Sequence, residues 1–124
     1  MAGLRDIVID ALDPPRLARF WAEVLDGYVI RAYDQAELDR LAALGLTPDA
    51  DPAVAVDGPG PTLFLQRTHE LKVSRNRVHL DLSCLDHDAE VARLEKLGAR
   101  VRDVHGDHSV MLDPEGNEFC LRHP

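Results

Sequence analysis

The sequence predicts an α+β fold of one domain, built from two βαβββ modules at about residues 1–70 and 76–124. Its 124 residues are 45% hydrophobic, which is enough for one compact core. The order strand, helix and three strands can be read twice along the chain. Asp6 lies seven residues before Asp13, and His79 lies seven residues before Asp86. These pairs therefore occupy equivalent places in the two modules.

The first module begins with an apolar, β-branched run at 6–12, which predicts a strand. Asp13 followed by two prolines predicts a helix start, because the carboxylate accepts free backbone N–H groups and proline lacks one. Gly27 marks the end of this helix. Its apolar stripe consists of Leu17, Phe20, Trp21, Val24 and Leu25. The remaining elements are strands at 28–33 and 62–67, weak alternation within 49–61, and a short helix within 34–46.

The second module repeats this order after a polar connector at 68–76. A strand is predicted at 77–85, and Asp86 stands before a helix that ends at Gly98. Three further strands follow at 100–105, 108–112 and 118–122. A turn at 113–116 joins the last two strands.

Strand alternation separates polar from apolar side chains in both modules. Asp6 and Asp10 share one face of the first strand, while His79 and Asp81 share the matching face in the second module. This polar face is expected to border a cleft, and the apolar face is expected to lie under the helices. The predicted helix-facing residues are Ile7, Ile9, Val78, Leu80, Leu82, Phe119 and Leu121.

Charge and composition restrict the classes of partner. The net charge is −8 and the sequence pI is about 5.1, so the surface repels phosphate backbones and no nucleic-acid partner is expected. Arg67, Lys72, Arg75 and Arg77 are interpreted as a solvated linker. No stretch reaches the length of a membrane span, and no leader-like segment is present, so we expect a cytoplasmic protein without membrane contact. Both cysteines, Cys84 and Cys120, are expected to be reduced and buried in strands.

Three stretches resemble one known superfamily. DALDPPRLARFWAEVLDGY (10–28), NRVHLDL (76–82) and LDPEGNEFCL (112–121) are similar to the short glyoxalase-like domains of the vicinal oxygen chelate superfamily. That superfamily includes glyoxalase I, extradiol dioxygenases, fosfomycin-modifying enzymes and bleomycin-resistance proteins. The resemblance implies a curled mixed sheet around one cleft between the modules, and a homodimer, which would also cover exposed sheet edges. It does not specify the reaction.

The resemblance also implies where a metal would be held. Metal-using members take four ligands, mostly His and Glu, from the first and last strands of each module. The matching positions are Asp6, His79, Cys120, and either Phe64 or Gln66. Glu118 shares a face with Cys120 but lies two residues away, roughly 6–7 Å along a strand. This set departs from the family pattern, so we expect no cofactor and no tightly bound divalent metal.

We expect the predicted site to bind or act on a small oxygen-bearing molecule. His79, Asp81 and Glu118 are the candidate catalytic residues, since they could move protons without a metal. The expected cleft residues are Asp6, Asp10, Phe64, Gln66 and Cys120. Four alternatives remain open: an enzyme of the lyase or isomerase type, a non-catalytic protein that sequesters a drug or metabolite, a metal-dependent isomerase or lyase of the glyoxalase type, and a structural or partner-binding subunit, which the pattern supports least.

Overall fold

A computed structural model describes all 124 residues, which form two compact units, Met1–Glu70 and Leu71–Pro124. The first unit contains β1 (Asp6–Ala11), α1 (Pro14–Val24), β2 (Val29–Ile30), α2 (Gln35–Ala43), a 3₁₀ turn (Pro48–Ala50), β3 (Ala53–Asp57) and β4 (Thr62–Arg67). The second contains β5 (Leu80–Ser83), α3 (His87–Leu97), β6 (Arg100–Val104), β7 (His108–Leu112) and β8 (Glu118–Arg122). The predicted α+β class and the two βαβββ modules are confirmed.

Each unit has its own four-stranded mixed sheet, and the two sheets share one topology. Their strand orders are β1-β4-β3-β2 and β5-β8-β7-β6. In each, the first strand pairs in parallel with the last, and the remaining pairs are antiparallel. The order follows from the helix after the first strand, which carries the chain over the sheet and returns it in the same direction.

The core of the first unit lies between α1 and the sheet. Leu63 and Leu65 are buried, and they pair with Ile7 and Ile9 on the same face. Because α1 packs mainly over β3 and β4 while β1 is an edge strand, Ile7 and Ile9 are only half-buried. Leu17, Phe20, Trp21 and Val24 from α1 are all buried, as the apolar stripe predicts.

The core of the second unit repeats this arrangement. Phe119 and Leu121 are buried on β8 and pair with Leu80 and Leu82 of β5. Leu94 from α3 is fully buried. The apolar rows predicted for β5 and β8 therefore lie on the helix side of this sheet.

Three local signals for helix ends act as the sequence predicts, whereas α1 ends before the predicted Gly27, with Leu25 as its C-cap. Asp13 Oδ1 accepts a hydrogen bond from Arg16 N at 3.3 Å, and Asp86 Oδ1 accepts one from Ala89 N at 3.1 Å. Gly98 ends α3 with a φ of +113°, in the left-handed region that glycine enters without strain.

The turn before β8 is built around a buried carboxylate. Asp113 accepts hydrogen bonds from the backbone N–H groups of Glu115 and Asn117 and from the Asn117 side chain, each at 2.8–2.9 Å. Gly116 has a φ of +87°, which an L side chain would oppose. This turn fixes where β8 begins.

Two predicted strands are shorter in the structure. The strand predicted at 77–85 covers only Leu80–Ser83, because pairing with β8 begins at Leu80 and Phe119; Val78 is 75% exposed rather than helix-facing. The strand predicted at 28–33 covers only Val29–Ile30. Arg31 N still donates to Ala55 O, after which the chain leaves this sheet edge.

Further corrections concern cysteines and cations. Cys84 lies just after β5 and is half-buried, whereas Cys120 is buried within β8; both are free thiols. Arg67 lies at the end of β4 rather than in a linker, and Lys72 makes an ion pair with Glu118 rather than facing only solvent. No helix in the structure has both the length and the apolar composition needed to cross a bilayer.

Candidate functional site

The open face of the second sheet, opposite its core, carries most of the predicted catalytic residues. Asp81 on β5 pairs directly with Cys120 on β8, so their side chains share one face. By alternation, Glu118 and Arg122 lie on this face too, and His79 lies one residue before β5. We call this surface the His79 face.

Three side chains on the His79 face form a close group. His79 Nε2 lies 3.2 Å from Asp81 Oδ1, and donor atoms of His79, Asp81 and Cys120 are all within 4.8 Å of one another. The His79 and Asp81 side chains are 42% and 47% exposed, whereas Cys120 is 8% exposed. Solvent can therefore reach the imidazole and the carboxylate of this group, whereas the thiol is buried.

The Cys120 thiol stays neutral in this setting. Burial raises its pKa, and the adjacent Asp81 carboxylate raises it further by charge and by a hydrogen bond. Arg122 and Arg102 act in the opposite direction but do not reverse the shift. Neither arginine was predicted to lie near Cys120 from the sequence.

Neighbouring groups hold Glu118 in its charged form. Burial raises its pKa, but hydrogen bonds from Lys72 Nζ at 2.8 Å and from Asn76 N at 2.9 Å outweigh burial and lower the pKa to about 2. Arg102 Nη1 lies 3.5 Å from the same carboxylate. A carboxylate of such low pKa is a weak base and stays unprotonated at neutral pH, so this environment does not favour the catalytic role predicted for Glu118, and that role stays a prediction.

Arg122 links the His79 face to the hairpin at its edge. Its Nη1 lies 3.5 Å from Asp81 Oδ2, and its Nη2 lies 3.1 Å from Asp107 Oδ2. Sequence reasoning missed Arg122, although alternation from Glu118 through Cys120 places it on this face. Arg102 had no such signal, because it lies beside a register shift in β6.

The open face of the first sheet carries the other predicted residues. Asp6, Val8 and Asp10 on β1 pair with Thr62, Phe64 and Gln66 on β4, so Asp6, Asp10, Phe64 and Gln66 share this face. Asp6 forms an ion pair with Arg5 at 2.8 Å. Asp6 and Asp10 are four residues apart, roughly 13 Å along a strand, so they do not form one cluster.

An arginine that the sequence did not single out occupies the middle of this face. The Arg31 guanidinium lies 5.5 Å from the centre of the Phe64 ring and donates two hydrogen bonds to Asp57, at 2.8 and 2.9 Å. Thr62 Oγ1 donates to the same carboxylate at 2.7 Å. Hydrogen bonds from Arg31 and Thr62 hold the pKa of Asp57 at about 2, and Asp57 raises the pKa of Arg31.

The strand registers decide which first-module residue is equivalent to Cys120. Cys120 pairs with Asp81, which is two residues after His79. In the first unit, the residue two after Asp6 is Val8, and Val8 pairs with Phe64. Since Asp6 and His79 are equivalent, Phe64 and not Gln66 corresponds to Cys120.

Comparisons with known proteins agree with the topology. A sequence profile described as a glyoxalase-like domain matches residues 6–122. No functionally curated protein matches the chain at a significant level.

Solved structures with the same fold cover nearly the whole chain. The fosfomycin resistance protein FosX from Mesorhizobium loti has a TM-score of 0.69 at 17% identity, over 98% of this chain and 91% of its own. A glyoxalase/bleomycin resistance protein/dioxygenase family enzyme from Burkholderia phytofirmans PsJN has a TM-score of 0.68 at 14% identity, over 98% of each chain. A possible glyoxalase from Bacillus cereus has a TM-score of 0.65 at 12% identity, over 98% of this chain and 99% of its own.

Paired βαβββ modules with this strand order define the vicinal oxygen chelate fold, and the resemblance seen in the sequence is confirmed. Since the profile match spans nearly all of the chain, the protein belongs to the glyoxalase-like domain family.

Proposed function

We propose that the His79 face binds a small, partly apolar, oxygen-bearing metabolite or drug, and that His79 makes the central polar contact. The observation that carries this proposal is an accessible imidazole, 3.2 Å from Asp81, beside the buried Cys120 thiol. The face is a sheet surface that α3 does not cover, because α3 packs on the side of Leu94 and Phe119.

The orientation of His79 determines what it offers a ligand. When Nε2 carries the proton and donates it toward Asp81 Oδ1, Nδ1 is left as an acceptor. Nδ1 makes no hydrogen bond within the chain, so a ligand hydroxyl or enol can donate to it. We infer that the nearby Asp81 carboxylate favours this tautomer of His79, which would make Asp81 a positioning residue.

The same geometry supports proton transfer. Nδ1 would take the proton from a carbon next to a ligand carbonyl, and the C–H electron pair would pass to the carbonyl oxygen to form an enolate. The Asp81 carboxylate would stabilise the imidazolium, which would return its proton to the neighbouring carbon to complete an isomerisation. This would be isomerase or lyase chemistry. Binding without turnover needs only the hydrogen bond to Nδ1 and the apolar contacts. The fosfomycin resistance protein among the structural neighbours supports a small-molecule ligand for the fold.

The proposed setting is a cytoplasmic homodimer. Each sheet leaves two edge strands, β1 and β2 in one unit and β5 and β6 in the other, whose unpaired backbone groups favour pairing with a second copy. Sedimentation at micromolar protein should give a dimer; a monomer across that range would contradict the proposed assembly.

The test of the proposed function begins with an unbiased ligand search. Purified protein is incubated with a metabolite extract, and retained molecules are identified by mass spectrometry after rapid desalting. The affinity and turnover of any retained molecule are then measured with wild type and His79→Ala. The control is His69→Ala, which removes another exposed histidine.

We expect His79→Ala to weaken binding by roughly tenfold, the loss of one hydrogen bond of about 1.4 kcal/mol. His69→Ala should bind as wild type does. Unchanged affinity in His79→Ala would remove His79 from the site and contradict the proposal. Turnover in wild type that is lost in His79→Ala would select the catalytic alternative over sequestration.

A further inference from the structure

In both units, the residues at the metal-ligand positions differ from the family pattern that the resemblance implies. Those positions are Asp6 and Phe64 in the first unit and His79 and Cys120 in the second, once the strand registers are compared. The question is whether the side chains around each position suit a divalent cation.

The first unit replaces a ligand with an aromatic ring under a cation. Phe64 offers no oxygen, nitrogen or thiolate, and the Arg31 guanidinium lies 5.5 Å from its ring centre. Asp57 holds that guanidinium in place through two hydrogen bonds, so the positive charge is fixed there. Asp6 retains a carboxylate, but Arg5 Nε already binds it at 2.8 Å. At its two positions, this unit therefore offers a metal only the Asp6 carboxylate, which Arg5 already binds, and it places the Arg31 guanidinium nearby.

The second unit brings three donor atoms together, but other groups of the protein occupy its carboxylates. Asp81 Oδ1 faces His79 Nε2, and Asp81 Oδ2 faces Arg122 Nη1. Both oxygens of Glu118 accept hydrogen bonds, from Lys72 Nζ and Asn76 N, and Arg102 lies beside them. Three cationic side chains thus surround the carboxylates that a metal would need. A metal ion would have to displace these partners and add its own positive charge to theirs.

We propose that this chain does not bind a divalent metal at the positions where the metal-using members of the superfamily hold one. In this account Arg5, Lys72, Arg102 and Arg122 neutralise the carboxylates, and the Arg31 guanidinium lies over Phe64. A ligand hydroxyl or enol then donates a hydrogen bond to His79 in place of binding a metal ion. The donor set does not fit the metal, so no step of the proposed chemistry passes through one.

Cobalt titration tests this proposal through a direct spectroscopic signal. Co²⁺ bound by a thiolate gives an intense charge-transfer band in the near ultraviolet, so a metal at Cys120 reports its own ligand. Full-length protein, treated with chelator and desalted, is titrated with Co²⁺ and, by calorimetry, with Zn²⁺, Mn²⁺ and Ni²⁺. Cys84→Ser is the matched control, because it removes the chain's other free thiol.

We expect no saturable band and no stoichiometric heat in wild type or in Cys84→Ser. Elemental analysis of protein purified from metal-supplemented cells should likewise show far less than one metal per chain. A band that is lost in Cys84→Ser and kept in Cys120→Ser would show that Co²⁺ binds at Cys84, away from the family positions. That result would support the proposal. A one-to-one band or heat that persists in Cys84→Ser and disappears in both Cys120→Ser and His79→Ala would overturn it.

Discussion

Replacing the Glu118 carboxylate should reduce stability at neutral pH by an amount that its environment determines. The pKa of Glu118 falls from 4.5 to about 2, and its side chain is 11% exposed. A shift of that size corresponds to roughly 3 kcal/mol of preference for the charged form in the folded state. Glu118→Gln keeps the shape but loses the charge that Lys72 and Asn76 hold, so we expect a loss approaching that figure.

The effect has a definite pH dependence. Because the folded-state pKa is lowered, the stabilisation is complete above the unfolded pKa of 4.5 and is lost as pH falls toward 2. Near pH 3 the difference between wild type and Glu118→Gln should shrink to roughly 1.5 kcal/mol. Urea unfolding followed by circular dichroism at neutral pH and near pH 3 measures both values.

Glu95→Gln, at an exposed position on α3, is the control for a surface charge change. It should alter stability by less than about 0.5 kcal/mol at either pH. A Glu118→Gln effect equally small at neutral pH, or one that does not decrease in acid, would refute the reasoning that Lys72 and Asn76 stabilise this carboxylate.

Three further substitutions test the fold, each by urea unfolding. Phe119→Ala removes a fully buried ring and should cost about 3–5 kcal/mol, so a loss under about 1 kcal/mol would contradict its core position. Asp113→Ala leaves the turn N–H groups of Glu115 and Asn117 without their acceptor and should cost roughly 2–3 kcal/mol, whereas a neutral result would show that the turn does not depend on the carboxylate. Gly98→Ala forces a φ of +113° on an L residue and should cost about 1–2 kcal/mol; unchanged stability would mean that the helix end relaxes without strain.

Local signals were sufficient to predict the architecture. Asp13, Asp86 and Gly98 act within a few residues of themselves, so the sequence shows both where the helices start and where α3 ends. The repeat of these signals identified the two modules before strand pairing was known. The ends of edge strands were predicted less well, because Val29–Ile30 and Leu80–Ser83 each pair with a single neighbour and end where the chain leaves that neighbour. Where an edge strand ends depends on tertiary pairing, which the periodicity of the sequence does not show.

The candidate site was predicted only in part. Alternation along one strand placed Asp81 near His79, and the family resemblance identified Cys120. The choice between Phe64 and Gln66 required the register of β1 with β4, which no residue pattern specifies. Arg31, Arg102 and Lys72 reach their carboxylate partners from distant segments, so neither the low pKa of Glu118 nor the cation over Phe64 could be read from the sequence.

The central claim is that a small molecule binds on the His79 face, and chemical-shift mapping tests it most directly. Backbone-assigned ¹⁵N-labelled protein is titrated with a molecule retained from the metabolite extract, and the imidazole signals of His79 are followed by long-range ¹H–¹⁵N spectra. The account predicts saturable shifts at His79, Asp81 and Cys120, with a direct change at His79 Nδ1. Saturable shifts confined to residues on the helix side of the sheet, such as Leu94 and Phe119, with His79 unchanged, would contradict it.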